Sequence, residues 1–498
     1  MDSFKKITHN TLYILSSNVI NMILGILRTF IIAGFLTPAE YGVFNMVNIV
    51  ISYINYVDIG TNAGMLYRSS ELIGVGRINE SKNIRKQALL FTLVLSAMVS
   101  IIAFILAQFE LNIIYINRNI FLLIGVACPI ILCLNYFNVE GRLLGNFRVL
   151  GLASIISGCG VLAFTILFIK AEFETKHVEL MVVAGLIGAV LSLIFLIYNL
   201  WVPIARKIDW HVVRQLIHLG IPLSLFPIAY TLFQSIDRWV IVSGVSGTEF
   251  GYYAFGTALG MMITMLPNSL GVALSSQLIQ KFGKSSGPKQ SSTMIFASLW
   301  VCAYLMAFIS GIIIIAMPYL LNYFFQKYLP GIGTITTLAV ANCILFSIPV
   351  GSGFLLAIGK LRICLILICI GTIAEGVLVF TALHFGGIEK ASYALLLSDL
   401  LLSLFTVSLT ISAIDRGHSR NIKRIIGLFF PFLICILIGA MINNFWSVTN
   451  ILEFDAVIIV KSLILYLVVS GVVCALVAWA CRISEDIPIN WKIRNFIN

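Results

Sequence analysis

The amino-acid sequence predicts an all-α polytopic membrane protein of about 14 transmembrane helices. It predicts two homologous six-helix lobes around a central cavity, with two further helices at the C-terminus. Three observations carry this reading: apolar blocks of twenty or more residues recur along the whole chain, Lys and Arg are unevenly shared among the segments between them, and an internal repeat recurs at an offset near 210 residues.

The chain has 498 residues, 60% hydrophobic and 11% charged; a soluble domain carries roughly 25% charged residues. The ~30 Å hydrocarbon core of a bilayer needs ~20 residues of helix. The apolar blocks are continuous rather than alternating, so membrane strands are excluded. Spans are expected near 11–35, 41–63, 87–107, 119–137, 149–170, 180–201, 216–245, 251–276, 293–317, 331–358, 362–384, 391–414, 425–446 and 456–481. The first block is too long for a signal-peptide core and lacks a small-residue cleavage site, so it is expected to stay as span one.

Orientation follows from the basic residues. With the N-terminus in the cytoplasm, cytoplasmic segments hold 24 of the 32 Lys and Arg and external loops hold 5; Arg28, Arg238 and Lys461 fall inside spans. The excess holds loop by loop, which places both termini in the cytoplasm. The net charge of +11 is therefore mainly a topology signal. The basic stretch at 77–86 suits anionic lipid headgroups, and no nucleic acid is expected as a partner. The ten cysteines lie almost entirely within spans, without a C-x-x-C pair or a His cluster, and read as packing residues rather than metal ligands or disulfides.

The repeat gives the domain plan. Arg28-Thr-Phe-Ile-Ile-Ala-Gly, then Glu40-Tyr41-Gly42-Val43-Phe44, is echoed by Arg238-Trp-Val-Ile-Val-Ser-Gly, then Glu249-Phe250-Gly251-Tyr252-Tyr253. The arginines lie 210 residues apart and the glutamates 209. Gly145-Asn146-Phe147-Arg148 before span five is echoed by Gly359-Lys360-Leu361-Arg362 before span eleven, at an offset of 214. Residues 1–205 (spans one to six) and 206–415 (spans seven to twelve) are thus expected as two lobes in the same orientation. Residues 416–498 add spans thirteen and fourteen and a cytoplasmic tail. Paired lobes of this kind suit alternating access. Thr37-Pro38-Ala39-Glu40 reads as a turn into a helix N-terminus, so Glu40 and Glu249 are expected to be structural, with Gly42 and Gly251 allowing close helix approach.

An ionisable residue within a span costs ~2.5–3.5 kcal/mol on insertion scales and normally faces protein or water. The candidates are Arg28, Asp58, Asp237, Arg238, Glu375, Asp399 and Lys461. Arg28 and Arg238 stand eight residues before the outer ends of their spans, about 12 Å by helix rise. Their equivalent places in the repeat are expected to bring them face to face as a cationic lining for an anionic substrate, and the guanidinium fork suits phosphate. Asp237 and Arg238 are ~100° apart on a helix, so they are not expected to pair with each other. Pro222 and Pro227 imply a kinked or interrupted span seven. Asp58 reads either as a helix-end group or as a cavity acid, and Asp237 as a partner for another arginine or for a coupling ion. Glu375, at the middle of span eleven, is the leading candidate for a protonatable coupling site, with Asp399 a weaker version. Lys461 is expected to snorkel.

These residues resemble a known group. Thr37-Pro38-Ala39-Glu40-Tyr41-Gly42-Val43-Phe44, Asp58-Ile59-Gly60, Ser235-Ile236-Asp237-Arg238 and Glu249-Phe250-Gly251-Tyr252-Tyr253, with Gly359-Lys360, are similar to the signatures of the polysaccharide transport family. The resemblance covers residues 10 to about 415 and is weak over the last two spans. That family lies in the multidrug/oligosaccharidyl-lipid/polysaccharide superfamily. The resemblance implies a Wzx-type flippase in the bacterial inner membrane, carrying undecaprenyl-pyrophosphate-linked repeat units of O-antigen, exopolysaccharide or capsule from the cytoplasmic to the outer leaflet. The partners expected with it are that glycan, membrane lipids, a coupling proton or sodium ion and a polysaccharide polymerase; no metal or cofactor is expected. A lipid II flippase or a cation-coupled multidrug exporter of the same superfamily is the alternative. An enzyme is disfavoured, because the external loops are about a dozen residues or shorter and no catalytic constellation stands out.

Overall fold

The computed structural model describes residues 2–109, 117–171, 177–282, 292–414, 418–447 and 456–480. Of the expected cytoplasmic segments, 283–291, 415–417 and 482–498 lie outside them. Among the described residues every regular element is helical. In chain order they are α1 (Asp2–Phe35), α2 (Pro38–Ile54), α3 (Thr61–Gly74), α4 (Ile78–Gln108), α5 (Arg118–Leu143), α6 (Phe147–Lys170), α7 (His177–Asn199), α8 (Trp210–Phe233), α9 (Ile236–Val242), α10 (Gly247–Phe282), α11 (Ser292–Phe324), a 3-10 turn (Gln326–Gly331), α12 (Ile332–Ile344), α13 (Ser347–Ala357), α14 (Leu361–Ile414), α15 (His418–Ser447) and α16 (Ala456–Ala480).

Ten of the described helical stretches are long and apolar enough to cross a membrane, so the chain is a multi-pass membrane protein. Three expected spans are broken in two: α2 with α3, α8 with α9, and α12 with α13. In the other direction, α14 runs for 54 residues through a corner at Gly386-Gly387. Joining the three broken pairs and dividing α14 turns the sixteen helices into fourteen crossings. At the corner Gly387 has φ 70 and ψ −164, a conformation open only to glycine. The two halves of α14 pack on each other there, with Gly371 against the Leu402 side chain.

The breaks differ from the expectation drawn from proline. Pro222 and Pro227 both lie inside α8, which continues through them; the interruption falls later, at Gln234-Ser235. Membrane helices tolerate proline when neighbouring groups re-satisfy the freed backbone. The breaks are met by hydroxyls. At Ser235, Oγ donates to Thr231 O at 2.8 Å, and the Tyr53 hydroxyl lies 2.6 Å from Ser235 Oγ. Beside the α12–α13 break, Ser403 Oγ donates to Ile344 O at 2.6 Å.

The chain divides into two compact units, Met1–Ser235 and Ile236–Asn498. In the first, α3 and α8 meet main chain to main chain. A Cβ on Gly220 would strike the Gly60 carbonyl, and one on Gly64 would strike the Leu216 carbonyl. Small residues give such contact where hydrophobic burial cannot drive helices together. A cluster of Met65, Leu72, Ile84, Leu89, Tyr136, Phe137, Leu196 and Leu216 fills the space among α3, α4, α5, α7 and α8. Beside it Arg85 and Glu140 form an ion pair with Glu140 fully buried, and the Tyr136 hydroxyl donates to Arg85 O at 2.9 Å. In the second unit α10 packs on α12 and α13, and α11 on α15 and α16.

The turns quoted for the repeat have matching geometry. Thr37 N and Oγ1 both donate to Glu40 Oε2 at 2.8 Å, while Glu40 N donates to Thr37 Oγ1 at 3.3 Å. Ser246 N and Oγ donate to Glu249 Oε2 at 3.0 and 2.8 Å, and Glu249 N donates back at 3.3 Å. Both are reciprocal capping boxes. Gly145 and Gly359 have φ +67 and +77, and the next residue's N–H reaches back five residues in each, Asn146 to Gly141 at 2.9 Å and Lys360 to Leu355 at 2.9 Å. That is the Schellman helix stop, in which glycine takes the left-handed position.

Candidate functional site

Arg28 sits among α1, α2 and α7. Its Nη2 donates to Met181 O at 3.3 Å, and its guanidinium lies 5.6 Å from the centre of the Phe44 ring. Nε is buried without a hydrogen-bond partner. No carboxylate lies within ion-pair distance of Arg28 among the described residues. Gly185 of α7 lies beside it, and a Cβ there would sit in ordinary contact, 3.5 Å from Nη2. A cation held by one carbonyl and one ring face keeps most of its five donors available for an anion.

Arg238 has different company. It stands in the short helix α9 with Asp237, both buried. Their side chains approach, Nε to Oδ1 at 3.5 Å, which corrects the expectation that these sequence neighbours stay apart. Glu375 and Asp399, one from each half of α14, join them; both are 2% exposed. The corner at Gly386-Gly387 makes that meeting possible by turning the helix back on itself. Tyr253 of α10 lies close to Asp237 and Glu375. Glu375 Oε2 is buried without a hydrogen-bond partner. The second unit thus gathers three carboxylates and one guanidinium in a single buried cluster, which suits a proton or a small cation rather than a second anion.

Asp58 does not share that cluster. It lies in the α2–α3 break, where Oδ1 accepts from Gly60 N at 3.3 Å and Oδ2 from Asn62 N at 3.0 Å. These bonds serve the first N–H groups of α3. Ile59 beside it has φ 51, which a β-branched residue rarely adopts. Arg28 and Asp58 belong to the first unit, and Asp237, Arg238, Glu375 and Asp399 to the second.

Glu40 lies just outside the apolar stretch of its span. Besides its capping bonds it meets His177 Nδ1 through Oε1 at 3.0 Å. Burial alone would raise its carboxyl pKa, and the bonds from Thr37 and His177 outweigh that, leaving it below the ordinary value.

A polar row along α2 went unread in the sequence. Asn45, Asn48, Ser52 and Asn55 are spaced by three, four and three residues, so they share one helix face. The signal was present in that spacing, but a search confined to ionisable residues passes over neutral amides.

Residues 7–275, more than half of the chain, match the family described as polysaccharide biosynthesis protein. A comparison with curated proteins gives no match. Solved structures with the same fold include an inward-facing multidrug resistance MATE family transporter of the MOP superfamily, at 15% identity and TM-score 0.66, covering 83% of this chain and 98% of that one. A MATE structure in the bent conformation aligns at 14% identity and TM-score 0.60 over 84% of this chain and 97% of that one. A third, in the straight conformation, gives 15% and 0.59 over 84% and 96%. At such identity the similarity is one of fold, and it is a transporter's fold. With the match over residues 7–275, this chain belongs to the polysaccharide biosynthesis protein family.

Proposed function

We propose that this protein is a flippase for undecaprenyl-pyrophosphate-linked oligosaccharide repeat units of O-antigen, exopolysaccharide or capsule, moving them from the cytoplasmic to the outer leaflet of the bacterial inner membrane by alternating access. Arg28 carries the reading. A half-buried arginine inside a membrane segment, with its Nε buried and no carboxylate within ion-pair distance among the described residues, is costly unless an anion visits it. A pyrophosphate offers several tetrahedrally disposed acceptor oxygens, two of which the planar guanidinium fork can take together. Arg238 is the weaker half of the proposed pair, because Asp237 already neutralises part of its charge.

Asp237, Glu375 and Asp399 supply the coupling site of this mechanism, for a proton or sodium ion. Asp58 has a helix-start role that draws on both of its oxygens. The matched capping boxes and Schellman turns favour a duplicated chain with repeats at 1–205 and 206–415 and an added segment at 416–498. The Lys and Arg distribution favours cytoplasmic termini. A polysaccharide polymerase is the partner that would consume the flipped unit. The same fold in MATE structures keeps a cation-coupled exporter as the second reading, favoured by the buried carboxylates of α9 and α14, and a lipid II flippase differs only in the glycan.

The test is restoration of surface glycan in a flippase-deleted strain. Arg28→Lys keeps the charge but loses the fork and should be impaired, and Arg28→Ala more so. Normal restoration by an Arg28→Ala protein that inserts normally would remove the substrate role from this residue.

A further inference from the structure

We infer that the polar face of α2, together with Asn135 and Asn138 of α5 and Tyr67 of α3, is the surface that recognises the sugar head of the substrate, and that it takes neutral, hydroxyl-rich sugars. This rests on the flippase reading and adds to it the part of the chain that meets the glycan.

The face begins with Asn45, Asn48, Ser52 and Asn55, one above another along about 15 Å of helix. It starts about 10 Å along from Pro38, well inside the membrane. None of these side chains is tucked into the core: Asn55 is exposed and Asn45, Asn48 and Ser52 are half-buried, as are Asn135 and Asn138 on α5. An amide turned to hydrocarbon without partners costs several kcal/mol, roughly 4–8 on a water-to-cyclohexane scale. The four asparagines within the expected spans, Asn45, Asn48, Asn55 and Asn135, are therefore not a lipid face, and their partial exposure fits a water-lined surface.

The amides are held in place. Asn48 Nδ2 donates to Phe44 O at 2.9 Å and Asn55 Nδ2 to Ser52 O at 2.9 Å. Asn135 Nδ2 donates to Asn55 Oδ1 at 2.9 Å, tying α5 to α2 across this face. Tyr56 and Thr231 join their hydroxyls at 2.7 Å, which pins the α2–α3 break to α8. An asparagine side chain has two donors and two acceptor lone pairs, so Asn48, Asn55 and Asn135 keep capacity beyond the bonds that fix their rotamers. Fixed amides with spare donors and acceptors match a sugar hydroxyl, which is both donor and acceptor.

Beyond the break, α3 continues the surface. Tyr67 is 58% exposed and lines a concavity of about 650 Å³ with Ala63, Leu66, Ser70, Glu71 and Leu223. An open aromatic ring beside hydroxyl and apolar groups suits the C–H face of a pyranose. The charges here are spoken for, since Arg68 Nη1 and Glu71 Oε2 pair at 2.6 Å. Among the described residues, the other side chains named on this face are amide, hydroxyl or apolar. An acidic sugar would bring a charge with no counter-charge waiting, and specificity against it follows.

The experiment uses the full-length protein in lipid nanodiscs and three probes: undecaprenyl pyrophosphate, the same lipid bearing N-acetylglucosamine, and its glucuronic acid counterpart. Wild type should bind the N-acetylglucosamine probe about tenfold more tightly than the bare lipid, which is ~1.4 kcal/mol, and should show no such gain for glucuronic acid. Asn55→Leu with Asn135→Leu should remove the gain and leave bare-lipid binding unchanged. Tyr67→Ala should reduce the gain on its own, and its exposed position spares the fold. Arg28→Ala should instead weaken all three probes alike. Variants that keep the whole gain, a wild type without any gain, or a preference for glucuronic acid would overturn the subsite while leaving the flippase reading intact. A wild type that holds none of the probes overturns both.

Discussion

Glu40 closes the first turn of α2 with one carboxylate oxygen and holds His177, at the start of α7, with the other at 3.0 Å. One side chain thus caps a helix and ties it to a second. Its carboxyl lies below the ordinary 4.5, because the bonds from Thr37 and His177 outweigh the opposing effect of burial. A lowered carboxyl pKa gives stability that is fully present above 4.5 and is lost as pH falls through the folded value. Thermal melts of detergent-purified protein should therefore fall as pH drops below 4.5. Glu40→Ala should lower the neutral-pH melt by the loss of a cap, about 1 kcal/mol, and flatten this acid dependence. A variant as acid-sensitive as wild type would remove Glu40 from that role.

The α3–α8 contact predicts a steep response at Gly220. Any side chain there meets the Gly60 carbonyl, and overpacking of a filled interface costs about 1–3 kcal/mol or more. Gly220→Val should lower the melting temperature and the yield of monodisperse protein. Gly74→Val is the control, since a Cβ at Gly74 meets nothing within 4 Å. Equal behaviour of the two variants would show that the seam is looser than described.

Coupling is tested at Glu375. Glutamine keeps its shape and hydrogen-bonding capacity but cannot carry a charge. Glu375→Gln should lose gradient-driven transport in sealed proteoliposomes by about tenfold or more, ~1.4 kcal/mol in the driving step, while still binding the lipid-linked substrate. Asp399→Asn should act in the same direction. Transport at the wild-type rate would take Glu375 out of the coupling step.

Topology is tested by single-cysteine labelling on a cysteine-free background. A cysteine at Gly76, between α3 and α4, or at Lys207, before α8, should resist an impermeant maleimide in intact cells and react after permeabilisation. One at Asn117, where α5 begins, should react from outside. The reverse pattern would invert the assignment.

Much of this architecture was legible in the sequence, and the exceptions have physical causes. Thr37-Pro38-Ala39-Glu40 carries its capping box in its residue types, and Gly145 and Gly359 announce helix stops because left-handed geometry favours glycine. The breaks at Gln234-Ser235 and Leu345-Phe346 carry no such mark. Each depends on a hydroxyl near in space, Tyr53 or Ser403, which position along the chain does not reveal. The Asp237–Arg238 contact was misjudged because helix geometry fixes where a side chain starts and not where four rotatable bonds take it. The gathering of Glu375 with Asp399 turns on the Gly386-Gly387 corner, which converts 24 residues of sequence separation into neighbours. The asparagine row was readable from spacing alone, yet its significance needed the exposure of Asn55 and its bond to Asn135.

The seam between α3 and α8 has a consequence for how such a protein diversifies. Its contact surface is main chain, shared by every amino acid, so drift in nearby side chains leaves its fit unchanged as long as Gly60, Gly64 and Gly220 stay. Asn55, Tyr67 and their neighbours can then be exchanged to suit a different cargo without renegotiating how the helices dock. On the flippase reading proposed above, a lineage that follows a changing coat of sugars keeps its chassis and repaints only the inside.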